Sequence, residues 1–151
     1  MKLKKFNFKN VNSTNDIAIR LIKKTNNKFG IIIADKQKKG RGHHGNKWIS
    51  YKGNLFVSIF FSLEQINMSL KQLTKANIFL IKKTLSRFCK KKIYIKAPND
   101  LLINKKKICG ILQERLKKSN TTYFIVGIGI NLIKSPHIEN YPTTSLSLIH
   151  I

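Results

Sequence analysis

The sequence predicts an α+β fold, a mixed and mostly antiparallel sheet flanked by helices. Three observations carry that reading. Short apolar runs of strand character outnumber stretches with helical periodicity, the connections between them are short, and short connections suit antiparallel neighbours. With 151 residues, 42% of them hydrophobic, the chain is long enough to bury one core, so residues 1–151 are expected to form a single domain.

The first unit reads as strand then helix. Phe6 to Val11 (FNFKNV) alternates apolar and polar residues, and the following STND from Ser13 matches the S-x-x-D/E cap of a helix that runs through Ile17, Ile19 and Leu21. Gly30 to Asp35 (GIIIAD) is a β-branched run bounded by glycine, and Asn54 to Leu63 (NLFVSIFFSL) is a second apolar strand. Between them lies KGRGHHGNKWIS, Lys39 to Ser50, a basic glycine turn followed by the chain's one tryptophan. From Ser69 to about Phe88 the residues Leu73, Ala76, Leu80, Ile81 and Leu85 recur at helical spacing. KIYIKA (Lys92 to Ala97) reads as a strand, PND as a turn, and LLINKKKICGILQE as a hairpin with NKKK at its tip. YFIVGIGINL, Tyr123 to Leu132, closes the series as a buried strand with two glycines.

The formal net charge of +24 would suit a nucleic-acid or other anionic partner. The kind of cation weakens that inference. Arginine occurs only at positions 20, 41, 87 and 115, while lysine, isoleucine and asparagine abound, the pattern of an A/T-rich genome. A basic nucleic-acid module would also interleave aromatics with its cations, yet Phe56, Phe60 and Phe61 lie in an apolar strand. No specific nucleic-acid role is therefore expected. The six acids stand out against this background, and four of them lie inside motif-like segments. Cys89 and Cys109 are too few for a disulfide framework and lack metal-ligand spacing, so both read as buried thiols. No run is long and apolar enough for a membrane helix or a signal peptide, so a cytoplasmic setting is expected.

Four constellations could carry chemistry. Gly40, Gly42 and Gly45 around Arg41, His43 and His44 would let backbone amides and cations face an anion, although a solvated hairpin tip has the same composition. Asn99 and Asp100 follow Pro98, where a plain turn is the alternative. Lys107 alternates with Cys109, Ile111 and Gln113, which would aim its amine at a pocket unless it is one more surface lysine. GIGIN lacks the third glycine and the following helix of a dinucleotide fingerprint; its two glycines suggest close approach of a backbone or ligand beside Asn131.

Taken in order, these segments resemble the catalytic domain of biotin protein ligases. NSTND resembles the family's S-T-N helix opening, ADKQKKGRGHHGNKWIS its G-R-G-R-R-G-x-x-W-x-S loop, and GNLFVSIFF the strand that follows. IKAPNDLLINKKKICGILQE resembles its K-W-P-N-D and K-x-x-G-I-L-x-E block, and IVGIGINL its G-x-G-x-N strand. The match runs from about Val11 to Leu132 and implies the fold shared by class II aminoacyl-tRNA synthetases and biotin ligases.

The resemblance implies a reaction and a set of roles. Biotin and ATP would form biotinyl-AMP, with Mg²⁺ accompanying the nucleotide, and the biotinyl group would pass to a lysine of the biotin carboxyl carrier protein. Ser13, Thr14, Asn15, Gln37, Arg41, Gly42, His43, Lys107 and Gly110 would contact biotin. Arg41, His43, Trp48, Lys96, Asn99 and Asn131 would contact ATP, and Lys107, Arg41 and Asp100 would take part in catalysis. The chain departs from the family pattern at His43, His44 and Ala97. Neither the winged helix nor the SH3-like domain of some relatives is expected, and a homodimer is left open by an exposed sheet edge. A lipoate ligase of related fold is the nearest rival, but its Ser-Gly-Gly-Gly type of loop is not found.

Overall fold

The computed structural model describes residues 3–148. Nine strands and two helices follow one another as β1 (Lys5–Val11), α1 (Thr14–Lys24), β2 (Phe29–Gln37), β3 (Gly40–Arg41), β4 (Lys47–Trp48), β5 (Leu55–Ser62), α2 (Leu70–Leu85), β6 (Tyr94–Lys96), β7 (Asp100–Ile103), β8 (Lys106–Lys118) and β9 (Thr121–Ile130). Seven strands form one sheet in the order β1-β2-β5-β9-β8-β7-β6. β1 and β2 are parallel because α1 crosses between them, and every other neighbouring pair is antiparallel. The α+β class, with a mixed and mostly antiparallel sheet, is the one observed.

Alternation along β9 separates the two faces of the sheet. Tyr123 and Ile125 pack with Ala18 and Ile22 of α1, Ile32 and Phe60, whereas Phe124, Val126 and Ile130 pack with Leu73, Ile78 and Leu85 of α2. The two helices therefore cover opposite faces. Ser13 caps α1 by accepting from the Asp16 N–H, and Ser69 caps α2 in a reciprocal box with Gln72.

Several details differ from the sequence reading. α2 ends at Leu85, short of Phe88, and Leu80 is exposed rather than buried. It lies just past the edge of the stripe formed by Leu73, Ile78, Ile81 and Leu85, and Ile78 holds the core place instead. The hairpin before β8 turns on Asn104 and Lys105 alone, both with left-handed φ near 50° and 61°, so Lys106 and Lys107 already belong to the strand. The basic glycine segment is not a simple tip either: β3 and β4 pair as a small ribbon, Gly40 opposite Trp48 and Arg41 opposite Lys47, around a single 3-10 turn at His43–Gly45.

One irregularity positions the site. Leu101 pairs with Cys109, but Leu102 pairs with Lys107, so Ile108 is an extra residue in β8. Ile108 and Cys109 both face the α2 core, and Lys107 is returned to the face that carries Gly110. Strict alternation would have left Lys107 on the α2 side with Cys109, Ile111 and Gln113. The sequence argument thus assigned the lysine to a pocket for a reason the backbone does not follow.

Candidate active site

The α1 face of the sheet is open at the C-terminal end of β2, and a cleft of about 450 Å³ lies there. Its first wall is the start of α1. Thr14 donates to Gln37 Oε1 from its backbone N (2.8 Å) and its hydroxyl (3.1 Å), and Ser58 Oγ sits 2.7 Å from Thr14 Oγ1. Asn15 receives Ser58 at its carbonyl oxygen and donates from Nδ2 to Glu114 (2.7 Å). A Cβ on Gly127 would meet Asn15 Oδ1 at 2.3 Å, so only glycine in β9 lets this polar cluster lie against the sheet. Ser13, Thr14, Asn15 and Ser58 are all buried.

The glycine ribbon forms the second wall. Arg41 points across the cleft mouth to two carboxylates, donating from Nε to Asp16 (3.0 Å) and in a fork to both oxygens of Glu114 (2.8 Å each). The Glu114 bonds and the charges of both acids hold its guanidinium pKa above the ordinary value. Burial works to raise the Glu114 carboxyl, but the bonds from Arg41 and Asn15 outweigh it and hold the group below the usual carboxylate range. With two carboxylates on one guanidinium the cluster is net negative. Arg41 therefore ties the ribbon to α1 and β8 instead of presenting a free cation.

Trp48 lies on the floor. Its indole rests on Gly110 of β8 and Gly129 of β9, where an added Cβ would stand 2.5 Å from ring carbons in each case. The indole Nε1 is buried without a partner. Lys107 Nζ lies 5.3 Å from the indole centroid and 2.8 Å from Asp100 Oδ1, and both side chains are largely buried. Asp100 Oδ2 accepts the hydroxyl of Tyr141, whose ring has Lys107 Nζ at 5.3 Å and Lys96 Nζ at 4.3 Å. At the far end Asn131 is buried and donates to Thr144 O (3.2 Å), while its Oδ1 has no partner.

Of the residues singled out from sequence, Ser13, Thr14, Asn15, Gln37, Arg41, Gly42, His43, Trp48, Asn99, Asp100, Lys107, Gly110 and Asn131 border this one cleft. Lys96 does not; it is exposed on β6 with its amine against Tyr141. Asp16, Ser58, Glu114 and Tyr141 take part without having been assigned a role at the site, whereas Gly127 and Gly129 allow a close approach, by the side chains of Asn15 and Trp48. Persistence of acids in a basic chain pointed towards Asp16 and Glu114, but no pattern marks Tyr141, which lies in the irregular segment after β9. No group of three or more His, Cys, Asp or Glu side chains that could hold a metal exists among the described residues. Asp100, the carboxylate on the floor, is already paired, so the donors fit a cation carried in by a phosphate ligand better than a protein-built cage.

A profile of the biotin/lipoate A/B protein ligase family matches residues 7–131, which span the sheet except for the first two residues of β1 and include most of the cleft. The chain belongs to that family. Among its relatives is the bifunctional ligase/repressor BirA of Escherichia coli (strain K12), 34% identical over 102 residues that cover 66% of this chain and 32% of that protein. Another is the biotin–[acetyl-CoA-carboxylase] ligase of Paracoccus denitrificans, 30% identical over 108 residues, 70% of this chain and 45% of that protein. The biotin protein ligase of Aquifex aeolicus, solved with biotin and ATP, superposes with a TM-score of 0.79 at 31% identity, covering 98% of this chain and 62% of that one. A bipartite lipoate protein ligase of Thermoplasma acidophilum shares the fold at 11% identity and a TM-score of 0.60. The chain thus spans about a third of the BirA protein and three-fifths of the superposed ligase.

Proposed function

We propose that this chain is a biotin protein ligase, activating biotin with ATP as biotinyl-AMP and transferring it to a lysine of the biotin carboxyl carrier protein. The observation that carries this reading is the gathering of the motif residues around a single cleft with two chemically distinct ends. One end, formed by Ser13, Thr14, Asn15 and Gln37 with Ser58 buried behind them, presents uncharged polar groups suited to a ureido ring. The other ends in the unpartnered Asn131 Oδ1, an acceptor suited to the amino group of a purine. Lys107 lies between them.

The chemistry follows from that order. In the first step a biotin carboxylate oxygen attacks the α-phosphorus of ATP, a P–O bond forms, and the bond to pyrophosphate breaks as pyrophosphate leaves with the electron pair. Two anions must approach to about 3–3.5 Å, so a fixed cation at the meeting point lowers the barrier most. Lys107, held by Asp100 and by the aromatic rings of Trp48 and Tyr141, is pre-aimed for this task. A Mg²⁺ ion bound to the triphosphate would neutralise the leaving group. In the second step the acceptor amine attacks the acyl carbon, the bond to AMP breaks, and the amine proton must be accepted. Asp100 is the carboxylate available on the floor for that role.

Arg41 contributes by holding the ribbon over the cleft, and its own contact with an anion would require exchange from Asp16 or Glu114. Lys96 stands at the rim, where it would meet solvent-exposed phosphates or the carrier. The same reading carries the carrier protein as partner and a cytoplasmic setting; no helix among the described residues is long and apolar enough to cross a membrane. The Paracoccus denitrificans and Aquifex aeolicus ligases, both named for biotin, are 30% and 31% identical, against 11% for the lipoate ligase, which favours biotin. The test is incubation with biotin, Mg-ATP and purified carrier domain, followed by detection of biotinylated carrier. Product with lipoate but not with biotin would overturn the assignment.

A further inference from the structure

We propose that Tyr141 is a positioning residue for Asp100, holding its carboxylate in the orientation that the transfer of biotin to the acceptor amine requires. The proposal rests on the ligase reading and names a residue for its second step. Tyr141 lies beyond β9, in a segment clipped to the sheet by Lys107 N–H donating to Pro142 O and Thr144 N–H donating to Lys107 O, both 2.9 Å. The backbone around Tyr141 is therefore fixed to the same strand residue whose side chain pairs with Asp100.

The geometry gives the tyrosine two tasks. Its hydroxyl donates to Asp100 Oδ2, while Lys107 Nζ forms an ion pair with Oδ1 at 2.8 Å that lacks hydrogen-bond alignment, so Tyr141 supplies the directional contact to the carboxylate. Its ring separates two lysines, with Lys96 Nζ 4.3 Å and Lys107 Nζ 5.3 Å from the centroid. Burial first, then the bond and charge of Asp100, push the phenol well above its ordinary pKa, so it remains a donor at any working pH. The charged and titratable groups facing Asp100 are Lys107 on β8, Tyr141 after β9, Lys96 on β6 behind the tyrosine ring, and Cys109, which burial keeps a neutral thiol.

With a hydroxyl bonded to Oδ2 and an ammonium beside Oδ1, the carboxylate has one favoured orientation. In the transfer step the amine proton passes to Asp100 as nitrogen bonds to the acyl carbon and AMP leaves with the electron pair of the broken C–O bond. A carboxylate that has turned away cannot receive it. Tyr141 guards against that.

The experiment compares the native chain with Tyr141→Phe, which keeps the ring and removes the hydroxyl. Single-turnover transfer from preformed biotinyl-AMP to a purified carrier domain is followed across pH, beside pyrophosphate release from biotin and Mg-ATP. The ¹³C resonance of the Asp100 carboxylate is recorded in the ligand-free chain at neutral pH. The expected result is a fall in the transfer rate about tenfold greater than the fall in pyrophosphate release, with an unchanged KM for the carrier. The Asp100 resonance should move as well. An unmoved resonance, or transfer profiles that superimpose, overturns the proposal. A native chain that transfers no biotin overturns the ligase reading and the transfer role together. That outcome is told apart from failure of the Tyr141 proposal alone, where the native chain is active and the variant matches it.

Discussion

Gly129→Ala tests how firmly the glycine ribbon is docked. The new methyl would stand 2.5, 2.7 and 2.8 Å from Trp48 Cε2, Cζ2 and Nε1, inside any real contact distance, and the neighbour is a rigid ring between two strands. Two terms hold the indole where it is. Burying the apolar ring gains about 1.5–3 kcal/mol, and leaving its N–H unpartnered costs about 1–3 kcal/mol, so the docked state is favoured by only about 1 kcal/mol or less from this contact. Overpacking at 2.5 Å costs about 1–3 kcal/mol, which exceeds that margin, so the indole should leave its slot while the sheet stays folded. Trp48 is the chain's one tryptophan, which makes the readout clean. Its emission should shift to the red, and tryptic cleavage at Lys38, Lys39 and Lys47 in and beside the ribbon should accelerate by up to roughly fivefold, as a margin of about 1 kcal/mol allows. Unchanged emission and cleavage with an unchanged melting temperature would refute the reasoning, because the methyl would then have been absorbed by movement of the sheet.

Other perturbations separate the roles of the charged residues. Lys107→Ala should lower pyrophosphate release by about 10²–10³-fold; it should also lower the melting temperature, because Asp100 is left buried with Tyr141 as its remaining partner. Glu114→Gln should destabilise the chain by about 1 kcal/mol at neutral pH, a modest figure because Arg41 is partly exposed to water. The carboxyl is held low in the folded state, so its contribution is complete above the ordinary range of about 4.3 and is lost as pH falls through the lower folded value. Denaturant midpoints of the native chain and the variant should therefore converge below about pH 4. His43→Arg should slow the dissociation of biotinyl-AMP about fivefold, by replacing an ordinary hydrogen bond with a charge-assisted one; equal rates would place His43 outside the intermediate's reach.

Much of the fold was legible in the sequence because its signals are local. The Ser13 cap, the β-branched run at Ile31 to Ile33 and the alternating stretch at Leu55 to Ser62 each fix an element without help from distant residues. The details that escaped depend on partners far along the chain. Leu80 is apolar and at helical spacing, and only the position of β8 and β9 beneath α2 decides that Ile78 is buried in its place. Arg41 has the composition of an anion ligand, yet its guanidinium meets Glu114, 73 positions away, which no local pattern reports. Tyr141 reaches Asp100 across 41 positions from a segment with no periodicity at all. The motif positions other than Lys96 nevertheless border the cleft, and most are tied to a turn, a cap or a glycine whose requirement is local.

The extra residue at Ile108 makes the place of Lys107 a matter of counting. A strand carries its side chains in two alternating phases, and one inserted residue exchanges the phases for everything on one side of it. Deleting Ile108 would restore a regular ladder, and the same lysine, with its identity unchanged, would then point its ammonium into the apolar layer beneath α2. Substitutions at this point change a volume or a charge, whereas a one-residue change of length relocates the amine to the wrong side of the sheet. The place of the amine therefore depends on the number of residues between Asp100 and Gly110 as much as on which residues they are.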